Sequence, residues 1–285
     1  MSDVRPCCKP VSACAGLRDA TGAGARARRW PIMPEPAPAL APSLTQSLTG
    51  KRVLLTGGST GIGRAILLDL VRQGARVVTF ARHPEPLHEA LRLAQLPPEA
   101  GLIADASDSA DLERVFRAVD DQLGGLDVLV ANAALGSEAL ADTQEQEWRY
   151  VVETNLLGYM ACAHAALPRF AAAGAGHLVM ISSISAENLS PGESVYAATK
   201  AGINAFGLAA RKEWAERNVR ITLIEPGSVG SDMQECTPEQ QRQAIAAGEM
   251  LYAEDIAAGV SWALTRAGRC DVAMLRMEPL RQKGG

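Results

Sequence analysis

The chain has 285 residues, 47% of them hydrophobic and 21% charged, with a formal net charge of −4. That length and apolar share suit one large domain with an appendage, and the acidic balance argues against a general attraction to nucleic-acid phosphates or anionic membrane surfaces. Six cysteines without a Cys-x-x-Cys pair and four histidines without ligand spacing point away from a metal site or a disulfide framework, so a reducing cytoplasm is the expected compartment.

Residues 1–48 are rich in Ala, Pro, Gly and Arg, with Pro31, Pro34, Pro36, Pro38 and Pro42 close together and almost no apolar period. A segment that buries so little does not offset its ordering entropy, so 1–48 is expected to be a disordered extension or one wrongly assigned ahead of a start at Met33. Arg18, Arg26, Arg28 and Arg29 also admit a targeting role, although no apolar core follows the arginine pair as a secretory signal requires. The folded domain is then expected over 49–285.

From Gly50 onward, runs rich in Val, Ile and Leu alternate with helical periods, the pattern of a parallel sheet covered on both faces. Strands are predicted over 52–56, 76–81, 101–104, 127–131, 177–182, 220–225 and 271–277, with helices over 62–73, 86–94, 109–123, 143–173, 195–217 and 253–265. Gly74 is placed to cap the first helix. The apolar stretch 156–181 is interrupted by His164, Pro168 and Arg169, so it reads as helix, turn and strand, not as a membrane span. The sum is an α/β domain on a doubly wound parallel sheet of about seven strands with helices on both faces, whose ligand should lie at the carboxyl ends of the strands.

The first strand breaks into Thr56-Gly57-Gly58-Ser59-Thr60-Gly61-Ile62-Gly63. Glycines at 57, 61 and 63 let a backbone turn sharply and approach a pyrophosphate, whose charge then rests on the amino end of the following helix. The second strand ends in Ala81-Arg82. A carboxylate there would bind the ribose hydroxyls of NAD, whereas a guanidinium can bind a 2′-phosphate, so NADP(H) is the expected cofactor unless Arg82 is only a solvated surface residue. Asp105, followed by Ala106 after the third strand, is either an acceptor for the adenine amino group or a loop aspartate.

Ser183 follows the fifth strand, and Tyr196 and Lys200 open the next helix. Four residues make about one turn, so the tyrosine and lysine share a face. A free tyrosine has a pKa near 10; bringing it to about 7 takes roughly 4 kcal/mol, which a lysine ammonium and a nicotinamide cation at about 4–6 Å could supply together. Tyr196 is therefore expected to be the general acid and base, with Ser183 donating to the substrate carbonyl oxygen. Asn155 is expected to hold a water that passes protons from Lys200 to solvent.

With these motifs in place the chain resembles the short-chain dehydrogenase/reductase family, in its short one-domain form, over about 50–282. The resemblance rests on Thr56-Gly57-x-x-x-Gly61-Ile62-Gly63, Asp105, Asn132-Ala133-Ala134, Asn155, Ser183, Tyr196-x-x-x-Lys200 and Pro226-Gly227-x-Val229, in that order. It implies a Rossmann fold, the catalytic set Asn155, Ser183, Tyr196 and Lys200, and a homodimer or homotetramer built on the long helices. It also implies that Asn132 supports the sheet and the cofactor, and that the turn from Pro226 to Ser231 contacts the nicotinamide carboxamide. Ala131 and Ala134 depart from the family's common Asn and Gly, and Ser231 keeps the hydroxyl of its usual threonine.

The function expected is transfer of a hydride between NADP(H) and a small secondary alcohol or carbonyl, with no nucleic-acid or membrane partner. The tail 270–282 is loosely like the branch of 3-hydroxy acid dehydrogenases and related carbonyl reductases. An epimerase or dehydratase would need a larger substrate region than the 85 residues after Lys200 allow. The rival from another class is an NADP(H)-binding regulatory protein without turnover, against which the intact acid/base set argues. The segment 231–251, with Met233, Pro238 and Met250, is expected to cover the pocket.

Overall fold

The protein is described by a computed structural model over residues 45–234 and 236–282. Its strands are β1 (Arg52–Thr56), β2 (Arg76–Ala81), β3 (Gly101–Ile103), β4 (Val128–Ala131), β5 (Gly176–Ile181), β6 (Val219–Pro226) and β7 (Met274–Met277). They form one parallel sheet in the order β3-β2-β1-β4-β5-β6-β7. Val53 on β1 pairs with both Val77 of β2 and Val128 of β4, so the order reverses at β1. A crevice opens at that reversal, at the carboxyl ends of the strands.

Successive strand residues face opposite sides, and the sequence supplies apolar groups to both. Leu54, Phe80, Leu129, Met180 and Leu223 pack into one core with Val115 and Phe116 of α3 (Ser109–Leu123), Phe170 of α5 (Gly158–Ala173) and Ile203 of α6 (Ser194–Trp214). Val53, Leu55, Val77, Val130 and Ile224 pack into the other with Ile66 and Leu70 of α1 (Gly61–Arg72) and Ile256 and Val260 of α8 (Ala253–Leu264). All seven predicted strands are present, β7 starting three residues later than predicted, and the doubly wound α/β sheet of the sequence reading is the observed fold.

Local signals set the helix ends. Asp108 caps α3 by accepting from Ala110 N and Asp111 N. Gly74, at φ +84°, turns the chain from α1 back toward β2, where a side chain would press on Thr49. α2 (Pro84–Leu93) starts two residues earlier than predicted, with Pro84 at its first position.

Two elements differ from the sequence reading. The helix predicted over 143–173 is α4 (Glu145–Val152) and α5, joined by a π-helical turn over Glu153–Leu157. Such one-residue expansions gather at functional sites; this one holds Thr154 and Asn155 buried, and sets Gly158 where a Cβ would lie 2.6 Å from the Ala106 carbonyl oxygen. Within 231–251, α7 (Pro238–Ala246) is a further helix, started by a capping box between Thr237 and Gln240.

The extension expected over 1–48 lies outside the described residues as far as 44. Its last residues are joined to the domain: Gln46 N donates to Thr265 O at 2.7 Å, and Leu48 is buried in the α1/α8 core. No helix among the described residues is long and apolar enough to cross a membrane.

Candidate active site

A cleft of about 600 Å³ runs along the carboxyl ends of β1, β2, β4, β5 and β6. Its floor is the glycine turn after β1. Thr56 Oγ1 accepts from Asn132 N (2.9 Å) and Ala133 N (2.8 Å), and Asn132 Nδ2 donates to Thr56 O (3.1 Å) and Gly57 O (3.0 Å), which ties this turn to the end of β4. Gly57 and Gly61 have φ of +69° and +50°. A Cβ on Gly63 would lie 1.9 Å from Gly57 O, and one on Gly57 would lie 2.9 Å from Ala133 Cα.

Thr60 makes no side-chain cap bond and the first turn of α1 holds no acid. The positive end of α1 therefore meets the cleft uncompensated, as a diphosphate requires. Ser59, Thr60, Gly61, Ile62 and Gly63 line this part, with Ala133 and Ala134 opposite. The residues present fit a dinucleotide, since glycines that no side chain could replace without a clash draw the turn tight and set the uncapped amino end of α1 against the cleft.

At the β2 end the exposed Arg82 donates from Nη1 to the Tyr150 hydroxyl at 2.7 Å, and its guanidinium lies 5.5 Å from that ring's centre. The Tyr150 hydroxyl in turn donates to Asp105 Oδ2, while Asp105 Oδ1 accepts from Ser107 N and Ser107 Oγ, both at 2.8 Å. Burial raises the Asp105 carboxyl, but the bonds from Tyr150 and Ser107 outweigh it and hold the group below its ordinary pKa. Asp105 thus anchors the turn after β3 and still lines the cleft beside Ala106.

At the β5 end the chain leaves the sheet through Ser182 and Ser183. Ser183 is extended at φ −166°, and its Oγ accepts from Ser185 N at 3.0 Å. α6 brings Tyr196 and Lys200 in from one turn apart, with Tyr196 N bonded to Ser137 Oγ at 3.1 Å. Lys200 Nζ donates to Ile181 O at 2.9 Å, shares that acceptor with the Tyr159 hydroxyl, and lies 5.4 Å from the centre of the Tyr196 ring. Burial pushes the Tyr196 phenol up to about 12, with Ser183 pulling it down and Glu193 raising it, and drives Lys200 down to about 7.

Asn155 is fully buried. Its Oδ1 accepts from Leu135 N (2.7 Å), and its Nδ2 donates to Leu135 O (2.8 Å) and weakly to Thr199 Oγ1 (3.4 Å). Both ends of its amide thus fix the loop after β4 to the π turn, and only the long Thr199 contact reaches α6. Pro226, Gly227, Val229 and Ser231 form the remaining wall, held by Gly227 N to Met277 O at 2.7 Å and by a bridge between Val229 and Leu251. A Cβ on Gly61 would meet Ser231 Cβ at 3.1 Å, and one on Gly136 would meet Met233 Cε at 3.9 Å, so this segment lies across the cleft.

All the sequence-assigned site residues meet in or beside this one cleft. Sequence reasoning missed Tyr150, Ser137 and Tyr159. Tyr150 is one of only four tyrosines and sits in a polar helix, a usable signal; the serine and Tyr159 carried none.

A parallel sheet with a glycine cradle at its switch point and a serine, tyrosine and lysine at the far end defines a nucleotide-dependent oxidoreductase class. The family model described as short chain dehydrogenase matches residues 51–242. An uncharacterised oxidoreductase of Staphylococcus epidermidis is 30% identical over 81% of this chain and 97% of its own. One of Mycobacterium tuberculosis is 33% identical over 65% of this chain and 76% of its own. Among solved structures, a short-chain dehydrogenase of Burkholderia cenocepacia in complex with NADP is 25% identical with a TM-score of 0.72, covering 82% of this chain and 98% of that one. The chain belongs to the short-chain dehydrogenase/reductase family and is an oxidoreductase of that family.

Proposed function

We propose that the protein transfers a hydride between NADP(H) and a secondary alcohol or carbonyl carbon, with Tyr196 as general acid and base. The observation that carries this reading is one cleft with Arg82 at one end and Ser183, Tyr196 and Lys200 at the other. The NADP complex of the Burkholderia relative supports the choice of cofactor.

Gly57, Ser59, Thr60, Gly61, Ile62 and Gly63 would hold the diphosphate, and Arg82 the 2′-phosphate. Asp105, Ala106, Asn132, Ala133 and Ala134 would flank the adenosine half, and Pro226, Gly227, Val229 and Ser231 the nicotinamide half, beside Tyr196 and Lys200. When bound, NADPH supplies the hydride to the carbonyl carbon. Tyr196, held protonated by burial, gives its proton to the carbonyl oxygen as the C–H bond forms, so the product is an alcohol. Ser183 donates a hydrogen bond to that oxygen while its negative charge grows. The phenolate left behind is stabilised by the Lys200 ammonium and regains its proton through that lysine. Asn155 acts by positioning, because both ends of its amide are held by the Leu135 backbone and fix the loop after β4 against the turn between α4 and α5.

Other parts of the reading are a cytoplasmic enzyme, assembled as a homodimer or homotetramer, acting on a small substrate of the hydroxy acid or ketone kind. The test is NADPH oxidation against a panel of ketones, aldehydes and oxo acids. At least one should be reduced by the wild type at a rate that NADH does not match. Binding of NADPH with no turnover of any carbonyl or alcohol would replace this reading with that of a sensor.

A further inference from the structure

Arg82 projects from the end of β2 into solvent, where a long side chain samples many rotamers and binding must order it. Here it is already ordered. Nη1 is held by the Tyr150 hydroxyl and the guanidinium lies over the Tyr150 ring, and no other hydrogen bond of Arg82 occurs among the described residues. Its Nε and Nη2 remain available as the flat edge that grips a phosphate with two parallel bonds.

The hydroxyl between Arg82 and Asp105 has a fixed polarity. A carboxylate only accepts and a guanidinium only donates, so Tyr150 gives its proton to Asp105 and its lone pair to Arg82. Asp105 is in turn fixed by Ser107. The relay runs from the turn after β3, through Tyr150 of α4, to the guanidinium. It also keeps a carboxylate and a guanidinium apart that would otherwise pair directly, a pairing that would occupy the phosphate-binding edge and cancel its charge.

We propose that Tyr150 is a positioning residue for cofactor choice: its hydroxyl spaces Arg82 from Asp105 and presents the free edge of the guanidinium to the 2′-phosphate of NADP(H). This rests on the reading of Arg82 as the phosphate ligand. Tyr150→Phe keeps the ring and its contact with the guanidinium while deleting the hydroxyl, so Arg82 should turn onto Asp105.

The experiment measures calorimetric dissociation constants of 2′,5′-ADP and 5′-ADP for the wild type, Tyr150→Phe, Arg82→Ala and the double variant. The wild type should prefer 2′,5′-ADP at least about tenfold, and Arg82→Ala should abolish that preference. Tyr150→Phe should cut it about fivefold through 2′,5′-ADP alone, leaving 5′-ADP unchanged, and should add nothing in the Arg82→Ala background. A preference lost in Arg82→Ala but intact or sharpened in Tyr150→Phe would overturn the role of Tyr150 and leave the role of Arg82 standing. Equal weakening of both nucleotides by Tyr150→Phe would overturn it too, as a structural effect. A wild type that binds both nucleotides alike would overturn the reading of Arg82 and this one with it.

Discussion

Replacing Lys200 by Met removes a buried amine while keeping a side chain of similar length against Tyr159 and Tyr196. Lys200 Nζ lies 5.4 Å from the centre of the Tyr196 ring; at an effective dielectric of about 20, a unit charge at that distance favours the phenolate by about 3 kcal/mol, roughly two pKa units. Burial acts against both charges, raising Tyr196 to about 12 and lowering Lys200 to about 7. Oxidation of an alcohol needs the phenolate and so gains rate as pH rises. In Lys200→Met, the apparent pKa of that rise should move up by about two units at saturating NADP⁺. The oxidative rate at pH 7 should fall about a hundredfold and recover as pH is raised. The assay is the pH profile of kcat for both proteins, with circular dichroism melts to verify folding. An unchanged apparent pKa in a folded variant would show that Lys200 does not tune Tyr196.

Gly63→Ala places a Cβ against Gly57 O and Asn132 Nδ2; overpacking of this kind costs about 1–3 kcal/mol, and both melting temperature and NADPH affinity should drop, so unaltered NADPH binding would refute the cradle. His177 is buried beside Thr222, and burial, aided by the charge of Arg220, lowers its pKa to about 3 from 6.5. The folded state thus holds a neutral ring, whose stabilisation is complete above pH 6.5 and is lost at about 1.4 kcal/mol per unit as pH falls toward 3. Denaturant midpoints for His177→Gln should therefore decline less steeply than those of the wild type between pH 6.5 and 4, and parallel declines would refute this. A chain beginning at Met33 should match the full chain in melting temperature and activity, whereas one beginning at Gly50 loses the buried Leu48 and the Gln46 bond and should be about 2–3 kcal/mol less stable; a loss already present on removing 1–32 would contradict the reading of that segment.

What was legible in the sequence was local or nearly so. The glycines at 57, 61 and 63 could be read because backbone approach admits no other residue, and Tyr196 with Lys200 because one helical turn sets them together. The continuous Val, Ile and Leu runs marked strands that are covered on both faces. α7 was legible but overlooked, since Thr237, Pro238 and Gln240 form a helix start with a proline at its first position. The π turn at Asn155 was not legible, because the polar triplet Glu153-Thr154-Asn155 reads equally as a solvated helix face, and the Leu135 backbone that Asn155 reaches lies 20 residues away. Nor was the relay from Arg82 through Tyr150 to Asp105, whose members are 45 and 68 residues apart. The motif also gave the sign of the pKa problem incompletely. It told which atoms meet, but the desolvation that pushes Tyr196 upward depends on the whole fold around it.

The most direct test of the acid/base role is Tyr196→Phe in a single-turnover experiment. Enzyme in excess over NADPH is mixed by stopped flow with a carbonyl that the wild type reduces, and loss of the reduced nicotinamide absorbance is followed. The ring and its packing are kept and only the ionisable oxygen is lost, so NADPH should bind with wild-type affinity while hydride transfer slows at least about a hundredfold. Transfer at near the wild-type rate would mean that another group delivers the proton, and that Tyr196 is not the acid.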